Sequence, residues 1–147
     1  MCGFTGYVSS SCMRKEVCGQ MLSQITHRGP DDNGIWLDAD AGIALGHRRL
    51  SIQDISPLGH QPMVSLSKRY VIVFNGEIYN FKVLQAELEK SGHVFRGHSD
   101  TEVMLAAIEE WGIEKALISF AGMFAFALWD KKAAIPASVR KPLMPTF

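Results

Sequence analysis

The run Tyr70-Val71-Ile72-Val73-Phe74 has no charge and no break, and it constrains the fold more than any other stretch of this chain. Its length and its β-branched and aromatic content suit a strand, and a strand that is apolar at every position must be covered on both faces. Gly122-Met123-Phe124-Ala125-Phe126-Ala127-Leu128-Trp129 has the same character, so a second strand buried on both faces is expected there. Between the two runs, Asn80 to Ser91 places Phe81, Leu84 and Leu88 on one helical face, and Gly92 follows as a stop signal. Ser99-Asp100-Thr101-Glu102 has capping-box spacing and opens a helix to Trp111, and Ile113 to Phe120 adds a short one. Strands interleaved with helices predict an α/β or α+β layered fold.

The first half of the chain reads as shorter pieces. Phe4 to Val8 suits a strand, and Arg14 to Thr26 carries Val17, Met21, Leu22 and Ile25 on one helical stripe, with Cys18 beside it. His27-Arg28-Gly29-Pro30-Asp31-Asp32-Asn33-Gly34 is rich in turn residues and reads as a loop. Ile35 to Leu37 and Ala41 to Ile52 read as strands, the second interrupted by Gly46-His47-Arg48-Arg49. That polar interruption is either a solvated strand end or an arginine fork facing an acidic ligand. Pro57 to Pro62 reads as another loop.

With 147 residues, 47% hydrophobic and 20% charged, the chain suits one globular domain. Fifteen basic and fifteen acidic side chains cancel, so neither nucleic acid nor a membrane surface is expected as a partner. Cys2, Cys12 and Cys18 are an odd set without ligand spacing and read as reduced thiols. No apolar run of membrane-spanning length and no leader is found, which makes the cytoplasm the expected compartment. The five histidines show no short ligand spacing apart from a loose His93 and His98 pair, so no metal is expected.

Three places could carry chemistry. Cys2 follows the initiator methionine; with Met1 removed it would carry a thiol and a free α-amine, whose ordinary pKa of about 7.7–8.0 suits a base near neutrality. Nucleophile and base would then share one residue, although Met-Cys-Gly is also an ordinary chain start. Asn75-Gly76 leaves the end of the apolar strand and could donate two hydrogen bonds to a developing oxyanion, although Asn-Gly is also a common hairpin turn. Asp100 at a helix start would be ionised and held by backbone amides, and simple capping explains it as well.

Six segments, in order, carry a family resemblance: Met1-Cys2-Gly3-Phe4, His27-Arg28-Gly29-Pro30-Asp31, His47-Arg48-Arg49-Leu50-Ser51-Ile52, Phe74-Asn75-Gly76-Glu77-Ile78-Tyr79-Asn80, Ser99-Asp100-Thr101-Glu102 and Gly122-Met123-Phe124-Ala125-Phe126. Together they resemble the class II glutamine amidotransferase domain, an N-terminal-nucleophile hydrolase, and most of all the glutaminase half of glutamine-hydrolysing asparagine synthetases. The resemblance implies an α+β fold, a four-layer αββα sandwich of two mainly antiparallel sheets between helical layers. It implies L-glutamine as substrate, Cys2 as nucleophile, and Asn75 with the Gly76 backbone as oxyanion hole. It further implies that Arg49 pairs with the substrate α-carboxylate, that Leu50, Ser51, Ile52 and Gln53 form the adjoining wall, and that Asp100, with Glu77 nearby, accepts the α-ammonium. No cofactor is implied for this domain; ATP and Mg would belong to the family's synthetase domain.

The resemblance is expected to fail after residue 130. Lys131 to Ser138 reads as no return strand, and only Arg140-Lys141-Pro142-Leu143 echoes the family pattern. The expectation is a glutaminase domain over 1–130 and an aberrant or truncated tail over 131–147, with the ammonia-accepting synthetase domain absent. A homo-oligomer remains open. Two other readings remain as well: an N-terminal-cysteine amidase for a different amide, and a non-catalytic glutamine-binding remnant.

Overall fold

The computed structural model of the chain describes residues 2–10, 14–52 and 54–141. Among the described residues, seven strands form two antiparallel sheets. The first has the order β1 (Gly3–Val8), β3 (Ile43–Arg49), β2 (Asp32–Asp38); the second runs β4 (Met63–Val64), β5 (Tyr70–Ile78), β6 (Gly122–Asp130), β7 (Ile135–Lys141). Helix α1 (Lys15–Gln24) covers the outer face of the first sheet. Helices α2 (Phe81–Lys90), α3 (Asp100–Trp111) and α4 (Ile113–Ser119) cover the outer face of the second. The layers are therefore helix, sheet, sheet, helix, the expected four-layer α+β sandwich.

The period of two along each strand sorts its residues into layers. Tyr70, Ile72, Phe74 and Ile78 of β5 join Phe124, Phe126 and Leu128 of β6 against Leu84, Leu88, Met104 and Ile108 of the helices. Val71 and Val73 point the other way and meet Ile43 and Leu45 of β3, with Trp129, Phe4 and Trp36. Full burial of side chains of this size contributes about 1.5–3 kcal/mol each, so both faces of β5 hold the sandwich together. Trp129 Nε1 donates to Asp38 Oδ2 at 3.2 Å and ties the sheets at one end of this inner layer.

Several local expectations change. In α1 the buried residues are Cys18 and Leu22, whereas Val17 is 38% exposed. The reason is Gly46 in β3: a Cβ there would meet Cys18 Sγ at 2.8 Å and Leu22 Cδ1 at 2.9 Å, so the glycine sets which helix face approaches. Strand β2 begins at Asp32, inside the segment read as loop. Strand β5 continues through Asn75, Gly76 and Glu77, which pair with Ala125, Phe124 and Met123 of β6, so Asn-Gly is no hairpin turn here. Strand β6 is not buried on both faces; its residues alternate, and Met123 is 49% exposed. Ser99 Oγ does accept the Glu102 amide at 3.3 Å, but the Glu102 carboxylate accepts the amides of Arg96 and Gly97 instead of closing the capping box.

The expected loss of the return strand is corrected. β7 pairs with β6 from Asp130↔Ile135 to Phe124↔Lys141. The turn is held by Asp130, whose Oδ1 accepts the amides of Lys132 at 2.9 Å and Ala133 at 3.2 Å, while Ala134 takes φ 52°. Pro136 stands within β7, but β7 lies at the edge of its sheet, where a missing N–H is tolerated. The sheet therefore extends past the boundary expected at residue 130. Residues 142–147, including Pro142 and Leu143 of the expected echo, lie outside the described residues, as do Cys12 and Gln53.

Candidate functional site

The inner layer is apolar at the Trp129 end and turns polar at the other. Along β3 the residues facing the second sheet are Ile43, Leu45, His47 and Arg49; along β5 they are Val71, Val73 and Asn75; β1 brings Phe4 and, just before it, Cys2. This alternation places the polar members at one end of the inner layer, where β3 and β5 face each other across the sandwich. His47 is fully buried and Arg49 only 7% exposed, so the polar interruption is not a solvated strand end.

A cleft of about 220 Å³ opens at this end, lined among others by Cys2, Arg49, Leu50, Ile52, Asn75, Gly76, Glu77 and Asp100. Of the expected site residues, Ser51 is not in that lining; its amide donates to Asp31 Oδ2 at 2.8 Å, holding the strand end against the loop of residues 29–31. Gln53 lies outside the described residues.

Cys2 is anchored at both its carbonyl and its sulfur. Arg28 Nε and Nη2 each donate to the Cys2 carbonyl at 3.4 Å, and the Leu50 amide points at Sγ from 3.3 Å. A second hollow, lined by Gly3, Phe4, Ile25, His27, Arg28 and Asn75, shares Asn75 with the cleft. Arg49 donates from Nη1 to the Ser56 carbonyl at 2.9 Å and from Nη2 to the Asp54 carbonyl. The cation thus organises the loop that carries Asp54 while it lines the cleft. Hydrogen bonds from Ser56 and from the His98 amide hold the Asp54 carboxyl below its ordinary range.

Asp100 is 5% exposed, and its Oδ2 accepts the Ile78 amide at 3.0 Å. Burial pushes its pKa up to about 6, against the lowering effect of the Ile78 and Thr101 hydrogen bonds; the neighbouring Glu77 charge adds to the rise. The expected helix-start carboxylate is present, but desolvation outweighs the backbone amides that were expected to keep it ionised. Acidic Asp100 and Glu77 and basic Arg49 give the cleft both signs of charge, which fits a zwitterionic head group.

Gln61, Thr101 and Asp54, which no sequence pattern marks as site residues, also line the cleft. Gln61 Oε1 accepts the Phe74 amide at 2.6 Å and its Nε2 donates to Thr101 Oγ1 at 3.4 Å. A glutamine in a Gly-His-Gln-Pro loop carries no signal for such a contact, since nothing local says which strand it will face. Among the described residues, no three His, Cys, Asp or Glu side chains gather as metal ligands, and no helix is long and apolar enough to cross a membrane.

Residues 1–143 match the sequence profile of the glutamine amidotransferase domain. Asparagine synthetase [glutamine-hydrolyzing] 1 of Bacillus subtilis is 41% identical over 147 residues, covering 97% of this chain and 23% of that protein. Amidase chry2 of Gibberella zeae is 39% identical over 110 residues, covering 75% of this chain and 16% of the relative. The chain thus spans about a quarter or less of these relatives' lengths. Among solved structures, the glutamine phosphoribosylpyrophosphate amidotransferase of B. subtilis superposes with a TM-score of 0.73 at 20% identity, over 89% of this chain and 35% of that one, a likeness of fold. The chain belongs to the glutamine amidotransferase domain family.

Proposed function

We propose that this domain hydrolyses the side-chain amide of L-glutamine to glutamate and ammonia, as the ammonia-supplying part of an asparagine-synthetase-like amidotransferase. The observation that carries the reading is the gathering of Cys2, Arg49, the adjacent Asn75 and Gly76, and Asp100 around one cleft from four separate parts of the chain. In this reading Met1 is removed, and the Cys2 amine takes the thiol proton as Sγ bonds to the amide carbon. The carbonyl oxygen becomes an oxyanion, stabilised by Asn75 and the Gly76 amide, donors commonly worth about 2.7–4 kcal/mol in the transition state. The proton passes to the departing nitrogen, the C–N bond breaks, and ammonia leaves a γ-glutamyl thioester. Water then attacks the thioester, and glutamate departs as the thiol is restored.

Arg49 would receive the α-carboxylate and Asp100, with Glu77, the α-ammonium, fixing the register that delivers the amide to sulfur. The thiol chemistry requires no cofactor in this domain; ATP and Mg would serve a synthetase domain that accepts the ammonia. Glutamate release by protein whose intact mass proves loss of Met1 tests the reading. Activity confined to neutral amides would transfer the site to another amidase, and binding of glutamine without turnover would make it a non-catalytic binding domain.

A further inference from the structure

Phe74 is gripped from two sides by buried side chains that the reaction above does not use. In β5, even-numbered residues turn their peptide groups away from β6: the Tyr70 carbonyl accepts the Ser65 amide at 2.9 Å, and the Ile78 amide donates to Asp100. Among the described residues, β4 covers this edge only opposite Val71 and Ile72. Phe74 lies beyond that cover. Its amide donates to Gln61 Oε1 at 2.6 Å, and its carbonyl lies 3.0 Å from His47 Nε2, which reaches across from the other sheet. Both side chains are buried, Gln61 at 6% exposure and His47 at 0%. The next peptide amide on the same edge is that of Gly76.

The carbonyl can only accept, so His47 must carry its proton on Nε2, and Nδ1 is left as a buried acceptor with no partner among the described residues. Burial keeps the ring neutral, with its pKa lowered to about 4. An unpaired buried acceptor opposes folding, and an aliphatic side chain would avoid it. Among the described residues, the one hydrogen bond the ring makes is to the Phe74 carbonyl. We propose that His47 and Gln61 are positioning residues that clamp the Phe74 backbone through its two flanking peptides and thereby aim the Gly76 amide and the adjoining Asn75 at the oxyanion. This proposal rests on the glutaminase reading for its catalytic consequence but not for its geometry.

The test compares His47→Gln, whose amide nitrogen can reach the Phe74 carbonyl, with His47→Asn, whose amide nitrogen falls short, and adds Gln61→Leu and Asn75→Ala. Each variant, free of Met1, is assayed for glutamine hydrolysis and for the ¹H–¹⁵N shift and hydrogen exchange of the Gly76 amide. His47→Asn should lower kcat about 10–100-fold with KM nearly unchanged and alter the Gly76 amide. His47→Gln should restore most of both, and His47→Asn should add little to Asn75→Ala. A folded His47→Asn protein with wild-type kcat and an unmoved Gly76 amide overturns the clamp; if it does not fold, the same result for Gln61→Leu does so. Wild-type protein that releases no glutamate, yet whose Gly76 amide responds to His47→Asn, overturns the glutaminase reading and keeps the clamp.

Discussion

Asp100 Oδ2 accepts the amide hydrogen of Ile78 at 3.0 Å, so the start of α3 is tied to β5 two residues beyond Gly76. The same carboxylate must be ionised to receive an ammonium, and burial holds its pKa at about 6. As pH falls through that value the acceptor is neutralised. KM for glutamine is therefore expected to be flat above about pH 7 and to rise up to tenfold per unit below 6. Asp100→Asn, which can still accept the Ile78 amide, should raise KM at neutral pH and remove this limb. Steady-state kinetics from pH 5 to 8 checks it.

Catalysis and binding should separate by residue. Cys2→Ala should abolish glutamate release. Asn75→Ala should lower kcat roughly 10²–10³-fold with a modest change in KM. Arg49→Ala should chiefly raise KM, through loss of the α-carboxylate partner and of the bonds that hold the Asp54 and Ser56 carbonyls. A rise in KM alone for Asn75→Ala would show the oxyanion assignment to be wrong.

Gly76 has no room for a side chain. Its φ is 157°, and a Cβ there would lie 2.4 Å from the Met123 carbonyl oxygen and from Phe124 Cα. Both obstacles are backbone and cannot rotate aside. Gly76→Ala is expected to destabilise the domain by about 2 kcal/mol or more, read as a lower midpoint in urea, with kcat lost in the fraction that folds.

His47 should imprint a pH dependence on stability. Its folded pKa, lowered to about 4, lies below the ordinary value of 6.5. Between these values the unfolded chain binds the proton and the folded one does not, so stability falls as pH drops from 6.5 to 4 and changes no further below. The span is on the order of 3 kcal/mol. Asp100 acts oppositely, since its raised pKa makes the folded state bind a proton as pH falls through 6. Urea titrations of Asp100→Asn and of His47→Gln/Asp100→Asn from pH 7 to 4 should show the loss in the first and its absence in the second.

Removal of residues 131–147 should expose the edge of β6 that β7 covers. An uncovered strand edge recruits other chains. The shortened protein is expected to melt at a lower temperature and to self-associate as concentration rises. Size-exclusion chromatography and thermal melts of both lengths decide this; a monomer of unchanged stability would mean that β7 contributes nothing.

The layers and most of their elements were legible from the sequence because their signals are local. Tyr70 to Phe74 is apolar throughout, and Gly92 and Ser99 mark helix ends by their own backbone and side-chain chemistry. The expected site residues Cys2, Arg49, Asn75, Gly76 and Asp100 also lie around one cleft, since their order in the chain carries the family pattern. The return strand is not legible because Pro136 speaks against a central strand, and no residue announces that β7 will lie at an edge. Nor could the sequence alone show that Asp100 would be pushed toward neutrality, because desolvation depends on what packs around a carboxylate rather than on its neighbours in the chain. The contacts of Gln61 with the Phe74 amide and of His47 with the Phe74 carbonyl join residues 13 and 27 positions apart. Only tertiary packing decided them: a strand edge that β4 leaves uncovered demands polar partners, and the fold determines which side chains arrive.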